Sequence, residues 1–223
     1  LLAKLTDADL STACFPFSTM QQISIGYATV WAFRMTYVGE LGWELYVPAE
    51  FAVGVYEEIC AAGGDLGLLN GGYYAIDSLR IEKGFRAWGH ELTPDTTPFQ
   101  AGLSFAVDFD KTMPFIGRDA LLAVKDQPLT NRVLHFTLDD SEPILWGGEL
   151  ILLDGKPVGK IDSGSYGHTL GASVGLGYVR HDGGVTADLV NGGGFEIDVG
   201  GERCPATARL RTPYDPKAER VKV

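Results

Sequence analysis

Glu40 stands in the run Gly39-Glu40-Leu41-Gly42, between two segments rich in aromatic and β-branched residues. A carboxylate held on a rigid turn can accept two parallel hydrogen bonds from a planar donor pair, whether a guanidinium or an amino-pyrimidinone edge. Taken by itself the signal is weak, and Glu40 reads first as a solvated turn residue. Tyr37 and Trp88 offer flat faces for stacking on a heterocycle, with core packing as the other reading of each. Arg80 lies three residues after Asp77 and beside Glu82, a spacing that suits a structural ion pair on a helix or a ligand contact. His90 follows Trp88-Gly89 in a glycine-bearing loop and titrates near neutrality, but a hydrogen-bonded or surface histidine accounts for it as well. Neither His90 nor His168 is assigned a catalytic role.

Two strands must hold Glu40. Residues 29–38 alternate Val30, Ala32, Arg34, Thr36 and Val38 against Trp31, Phe33, Met35 and Tyr37, the period of a strand, and a second strand is expected from Trp43 to Val47. The glycines between them suit a tight hairpin-like connection with Glu40 on the bend. Phe51, Val55 and Ile59 predict a helix over 50–62 stopped by Gly63-Gly64. A second helix is expected from Tyr73 to Lys83, with Ala75, Ile76 and Leu79 inward and Gly84 as its stop. A third is expected at Gly117–Lys125. Beyond Asp126-Gln127-Pro128 come short strands with glycine turns: Val133–Leu138, Glu149–Leu153, Val158–Ile161, Val174–Val179, Phe195–Val199 and a last one to Leu210. Asp154-Gly155 and Gly200-Gly201 mark turns, and the region reads as a small all-β barrel or sandwich. The boundary is placed near residue 127, giving domains 1–126 and 127–223.

Composition bounds the function. With 45% hydrophobic and 11% aromatic residues the chain can bury a core. A net charge of −11, with 18 Lys and Arg in all, argues against sequence-independent binding of nucleic acid. Cys14, Cys60 and Cys204 are odd in number, far apart and without histidines at ligand spacing, so neither a disulfide framework nor a metal site is expected. Cys60 reads as a small buried hydrophobe. No apolar stretch is long enough for a membrane span, and a reducing compartment is expected: the cytoplasm, or the mitochondrial matrix in a eukaryote. A strand followed by Gly-x-Gly-x-x-Gly, the mark of a flavin-binding domain, is not found, and Gly192-Gly193-Gly194 reads as a turn. The apolar opening Leu1, Leu2, Leu5 suits a helix already under way, as in part of a longer polypeptide.

Arg34-x-Thr36-Tyr37-x-Gly39-Glu40-x-Gly42-Trp43-Glu44 resembles the signature of the aminomethyltransferase, or glycine-cleavage T-protein, family. The runs Ala75-Ile76-Asp77-Ser78-Leu79-Arg80-Ile81-Glu82-Lys83-Gly84-Phe85-Arg86-Ala87-Trp88-Gly89-His90-Glu91-Leu92 and Thr96-Thr97-Pro98-Phe99-Gln100-Ala101-Gly102-Leu103 agree with it. Glu-Lys-Gly-Phe-Arg-x-Trp-Gly is similar to the flavin-linked sarcosine and dimethylglycine dehydrogenases. Phe115-Ile116-Gly117-Arg118, Glu142-Pro143-Ile144, Gly159-Lys160-Ile161-Asp162-Ser163-Gly164 and Pro213-Tyr214-Asp215-Pro216 continue in family order. The resemblance implies an α+β fold: a mixed α/β folate-binding domain, T-protein-like and partial, followed by a small all-β barrel. It implies that Glu40 binds the pterin ring of tetrahydrofolate, with Tyr37, Arg80 and Trp88 as further candidate contacts. It also implies a parent enzyme whose amino-terminal domain, not this chain, binds FAD and oxidises an N-methyl amine, the one-carbon unit being captured as 5,10-methylenetetrahydrofolate.

Where T-proteins usually carry a further Arg before Asp-Ser-Leu-Arg, this chain has Ile76, so that contact does not carry over. The family's catalytic Asp is not matched, and Asp7 and Asp9 fall in no assignable pattern. A stand-alone aminomethyltransferase or demethylase is the alternative of the same fold. A non-catalytic folate-binding assembly factor is a third, whose Lys-Gly-Cys-Tyr-x-Gly-Gln-Glu type run is not found.

Overall fold

The computed structural model describes residues 1–222. Internal contacts group them into two compact units, Leu1–Ile76 with the residues from Lys217 on, and Asp77–Pro216.

In the first unit, strands β1 (Met20–Ile25), β2 (Ala28–Phe33) and β3 (Glu44–Tyr46) form an antiparallel sheet in that order. Gly26, at φ +54°, turns β1 into β2 across the Ile25↔Ala28 pair. Glycine at the first position of a two-residue turn matches the twist of the strands it joins. The alternation read in 29–38 is present as far as Phe33, with Val30 and Ala32 inward against Ile23, Ile25, Phe15 and Val55. Trp31 faces outward, opposite Tyr46.

The expected tight hairpin is not what forms. β2 ends at Phe33, where it pairs with Glu44, and residues 34–43 make a longer loop. The two strands are neighbours as expected, but Glu40 sits within that loop and only Gly39, at φ +81°, takes the left-handed region. Helix α1 (Ala52–Gly63) runs on through a 3₁₀ turn at Gly64–Leu66, and its left-handed stop is Gly67 rather than Gly63-Gly64. Gly63 is needed for closeness instead, since a Cβ there would lie 2.5 Å from Leu68 Cδ2.

Helix α2 (Tyr73–Glu82) spans the boundary between the units and stops at Gly84, φ +74°. Phe85 N–H to Arg80 O and Gly84 N–H to Ile81 O close its end in the usual left-handed cap. Its buried residues correct the expected face: Ala75 is exposed, Ile76 and Leu79 are half-buried, and Ser78, Arg80, Ile81, Glu82 and Lys83 are buried. The inward side is charged because each buried charge has a partner on a different loop, described below.

In the second unit, after the short helix α3 (Arg118–Val124), six strands close into an antiparallel barrel. They are β4 (Asn131–Leu138), β5 (Leu150–Leu153), β6 (Lys156–Gly167), β7 (Ala172–Arg180), β8 (Phe195–Val199) and β9 (Glu202–Arg209), in the order β4-β7-β6-β5-β8-β9. The fold class is thus mixed α/β with a closed barrel. Asp154 (φ +50°) and Gly155 (φ +74°) form the expected β5–β6 turn. A short helix α4 (Ala187–Asn191), capped by Thr186 Oγ1 on Leu189 N–H, was not anticipated. Gly192-Gly193-Gly194 joins it to β8, a helix-to-strand order opposite to that of a dinucleotide-binding turn. Leu134, Phe136, Leu145, Ile151, Ile161 and Ile197 fill the barrel, with Phe136 edge-on to Phe195 at 5.8 Å.

One polar side chain points from β4 at the end of α2. His135 Nε2 lies 3.2 Å from Ile81 O, and burial, reinforced by Arg209 and Arg86, lowers its pKa to about 4. The unfolded chain takes up this proton below pH ~6.5, whereas the folded chain resists it until about pH 4. The resulting stability is complete above pH 6.5 and declines as pH falls toward 4, by roughly 3 kcal/mol. Urea midpoints between pH 4 and 7 should show this slope, and His135→Gln should flatten it; an unchanged slope would place the titration elsewhere.

Candidate functional site

The loop that carries Glu40 is clamped at both ends on one buried residue, Phe15. Arg34, 2% exposed, donates from Nη1 to Phe15 O at 2.6 Å and from Nη2 to Thr12 Oγ1 at 3.2 Å. Its guanidinium lies 5.7 Å from the Trp43 ring centroid, and Trp43 meets Phe15 edge-on at 4.6 Å. The first and last residues of the loop therefore close over Phe15, 0% exposed. Within it, Val38 N–H donates to Thr36 Oγ1 at 3.1 Å, and a Cβ on Gly42 would lie 3.4 Å from Met35 O and from Thr36 Cβ. The loop folds on itself, which fixes Glu40 without a hairpin.

The Glu40 carboxylate, 41% exposed, holds a guanidinium: Arg220 Nε–H points between its oxygens, 3.0 Å from Oε1 and 2.8 Å from Oε2. Sequence reasoning missed this partner because it is 180 positions away. Tyr37 is exposed on the same loop.

In the second unit the order Ser-Leu-Arg-Ile-Glu-Lys-Gly has a structural meaning residue by residue. Ser78 Oγ donates to Tyr166 O at 2.7 Å. Arg80, 1% exposed, donates to Asp77 Oδ1 at 3.1 Å, Phe85 O at 3.3 Å, Glu91 Oε2 at 3.1 Å and Ser163 Oγ at 2.8 Å. Glu82 Oε1 accepts the backbone N–H groups of Thr169 and Leu170 at 2.8 and 2.7 Å. Lys83 Nζ donates to Asp215 Oδ2 at 2.7 Å and to its carbonyl at 2.8 Å. One helix end thus anchors three separate loops and strand β6. Arg80 spends its guanidinium within the protein, the ion-pair side of its two sequence readings. Glu91, which no sequence signal singled out, is its fully buried partner and also accepts Ala87 N–H at 2.9 Å.

Trp88 lies in the loop after α2, 73% exposed, next to Gly89 at φ +86°. It borders a mainly apolar hollow of about 320 Å³ with Leu92, Pro98, Ala101 and Leu103. His90 Nδ1 is 3.4 Å from Asp162 O and lines a groove of about 940 Å³ with Thr96, Asn131, Lys160 and Tyr178. Tyr178 donates to Glu91 O at 2.9 Å, and burial raises its pKa to about 12. His168 packs edge-on against Tyr166 in the turn before β7. Cys14 is exposed, Cys60 half-buried and Cys204 buried, all three as free thiols. Asp9 accepts Ser11 N–H at 2.9 Å, a turn contact. Among the described residues no helix is long and apolar enough to cross a membrane.

Residues 1–111 match the family described as GCVT N-terminal domain, and residues 131–215 match the Glycine cleavage T-protein C-terminal barrel domain. The chain is 40% identical over its full length to human mitochondrial sarcosine dehydrogenase, of which it covers 24%. It is 42% identical, again over its full length, to 4-methylaminobutanoate oxidase (formaldehyde-forming) of Paenarthrobacter nicotinovorans, of which it covers 26%. It thus spans about a quarter of the length of these relatives. Among solved structures, glycine cleavage system aminomethyltransferase T of Bartonella henselae superposes with a TM-score of 0.69 at 26% identity, over 81% of this chain and 48% of that one. The two family matches and the closed barrel agree: this chain belongs to the glycine-cleavage T-protein, or aminomethyltransferase, family and is similar throughout to the corresponding region of sarcosine dehydrogenase-like proteins.

Proposed function

We propose that this chain is the tetrahydrofolate-binding, one-carbon-transfer region of a sarcosine or dimethylglycine dehydrogenase-like protein, with Glu40 as the pterin acceptor. The observation that carries this reading is the Glu40 carboxylate, held on a clamped loop and already engaging a planar nitrogen donor through both oxygens. The amino-pyrimidinone edge of a pterin offers planar N–H donors of the same kind, so the residues present fit the group. Tyr37 supplies an exposed ring beside Glu40 in sequence, and Trp88 an exposed indole face, both suited to stacking. Arg80 holds the Trp88 loop through Glu91.

Tetrahydrofolate, when bound, would supply the two nitrogens that take up the one-carbon unit as 5,10-methylenetetrahydrofolate. The chain's own part is to bind, orient and exclude water rather than to form a covalent bond. Its one-carbon donor would come from an N-methyl amine oxidised at the FAD of a separate amino-terminal domain. The 40% identity to a sarcosine dehydrogenase, which runs over the whole of this chain and 24% of that protein, supports that setting over a stand-alone aminomethyltransferase. We place the division between folate domain (1–126) and barrel domain (127–223) between α3 and β4, and the protein in a reducing compartment, cytoplasmic or mitochondrial.

Titration calorimetry on the intact protein tests the site. Glu40→Ala should weaken tetrahydrofolate binding by about 1 to 3 kcal/mol, the loss of a charge-assisted acceptor. Unchanged affinity in a folded variant refutes the assignment.

A further inference from the structure

The donor that occupies Glu40 belongs to the chain itself. Arg220 sits in the segment from Lys217 on, which groups with the first unit. Its Nε–H lies between the two carboxylate oxygens, at 3.0 and 2.8 Å. That position uses the inner lone pair of each oxygen, the same pair that a bidentate planar edge requires. The two donors therefore cannot take the inner face of Glu40 together.

The segment is placed to give way. Val221 is buried, 3% exposed, and fixes the backbone next to Arg220, while the Arg220 side chain is 59% exposed and can swing into solvent. Upstream of the segment, in the second unit, Asp215 is held by Lys83 at 2.7 Å. Between these anchors Ala218 adopts φ +54°, a left-handed conformation that an alanine rarely takes. An exposed ion pair contributes little, so a ligand with more contacts can displace it.

We propose that Arg220 is a tethered competitor for the pterin site. It keeps Glu40 neutralised and oriented while the site is free, and swings out when a reduced folate presents its amino-pyrimidinone edge. This rests on the reading of Glu40 as the pterin acceptor. The selectivity it confers is for ligands whose planar donor pair comes with further binding contacts, against simple guanidinium or amidine compounds that offer the donor pair alone.

Calorimetry with tetrahydrofolate on the intact protein separates the two ideas. Arg220→Ala should tighten binding by about two- to five-fold, the range expected for removing an exposed ion pair. Arg220→Lys, which keeps the charge but loses the planar N–H, should fall between alanine and wild type. In the Glu40→Gln background, Arg220→Ala should change nothing. Weaker binding in Arg220→Ala would make Arg220 part of the folate site, and unchanged binding would make it a bystander; either overturns the competitor. If Glu40→Gln alone leaves affinity intact, the pterin assignment itself fails, whatever Arg220 does.

Discussion

Arg80→Ala is expected to cost roughly 3–5 kcal/mol of folding stability, the range for breaking a buried ion pair by removing one partner. Arg80 is 1% exposed and its partner Glu91 is 0% exposed. Truncation leaves the Glu91 carboxylate in the protein interior with its ion-pair partner gone and the Ala87 N–H still donating to it. It also releases Ser163 Oγ, Phe85 O and Asp77, so the turn after α2 and a barrel strand lose a common tie. Arg80→Lys should recover only part of this, because an ammonium lacks the planar fork that reaches several acceptors in different directions. Urea denaturation followed by circular dichroism measures the effect. A loss below about 1 kcal/mol would mean that Glu91 finds another partner and that the network is peripheral to stability.

Gly159→Ala should be about as damaging, by a different route. Gly159 lies in β6 opposite Val179 of β7, and a Cβ built on it would stand 1.8 Å from Tyr178 O. The obstacle is backbone, so no rotamer relieves it, and β6 must part from β7. A penalty of roughly 3 kcal/mol or more follows, at the upper end for an overpacked site. Gly54→Ala is the control: it sits in α1 with nothing within 4 Å of the added Cβ and should stabilise by about 0.5–1 kcal/mol. Equal melting temperatures for the two variants would contradict the close backbone approach of β6 and β7 at Gly159.

The same contrast shows what could be read from residue order. Strands with regular alternation and the Asp154-Gly155 turn were legible because both are local: two-residue periodicity and left-handed turn angles need no distant partner. Gly63 was misjudged for the opposite reason, since what selects it is contact with Leu68 rather than its own backbone angle. The inward face of α2 could not be read from hydrophobicity, because its buried members include Arg80, Glu82 and Lys83, whose partners Glu91, Leu170 and Asp215 lie on separate loops. Around Glu40, the residue and its capacity for a planar donor were legible. Its support was not, because Arg34 and Trp43 are fixed by Phe15, and Arg220 comes from the far end of the chain.

The central claim is that Glu40 receives a pterin. A crystal structure of the intact protein soaked with 5-formyltetrahydrofolate tests it most directly. The account predicts the amino-pyrimidinone edge within hydrogen-bond distance of both Glu40 oxygens and the Arg220 side chain turned away from them. A folate bound with its pterin elsewhere, and Arg220 still seated on Glu40, would contradict it.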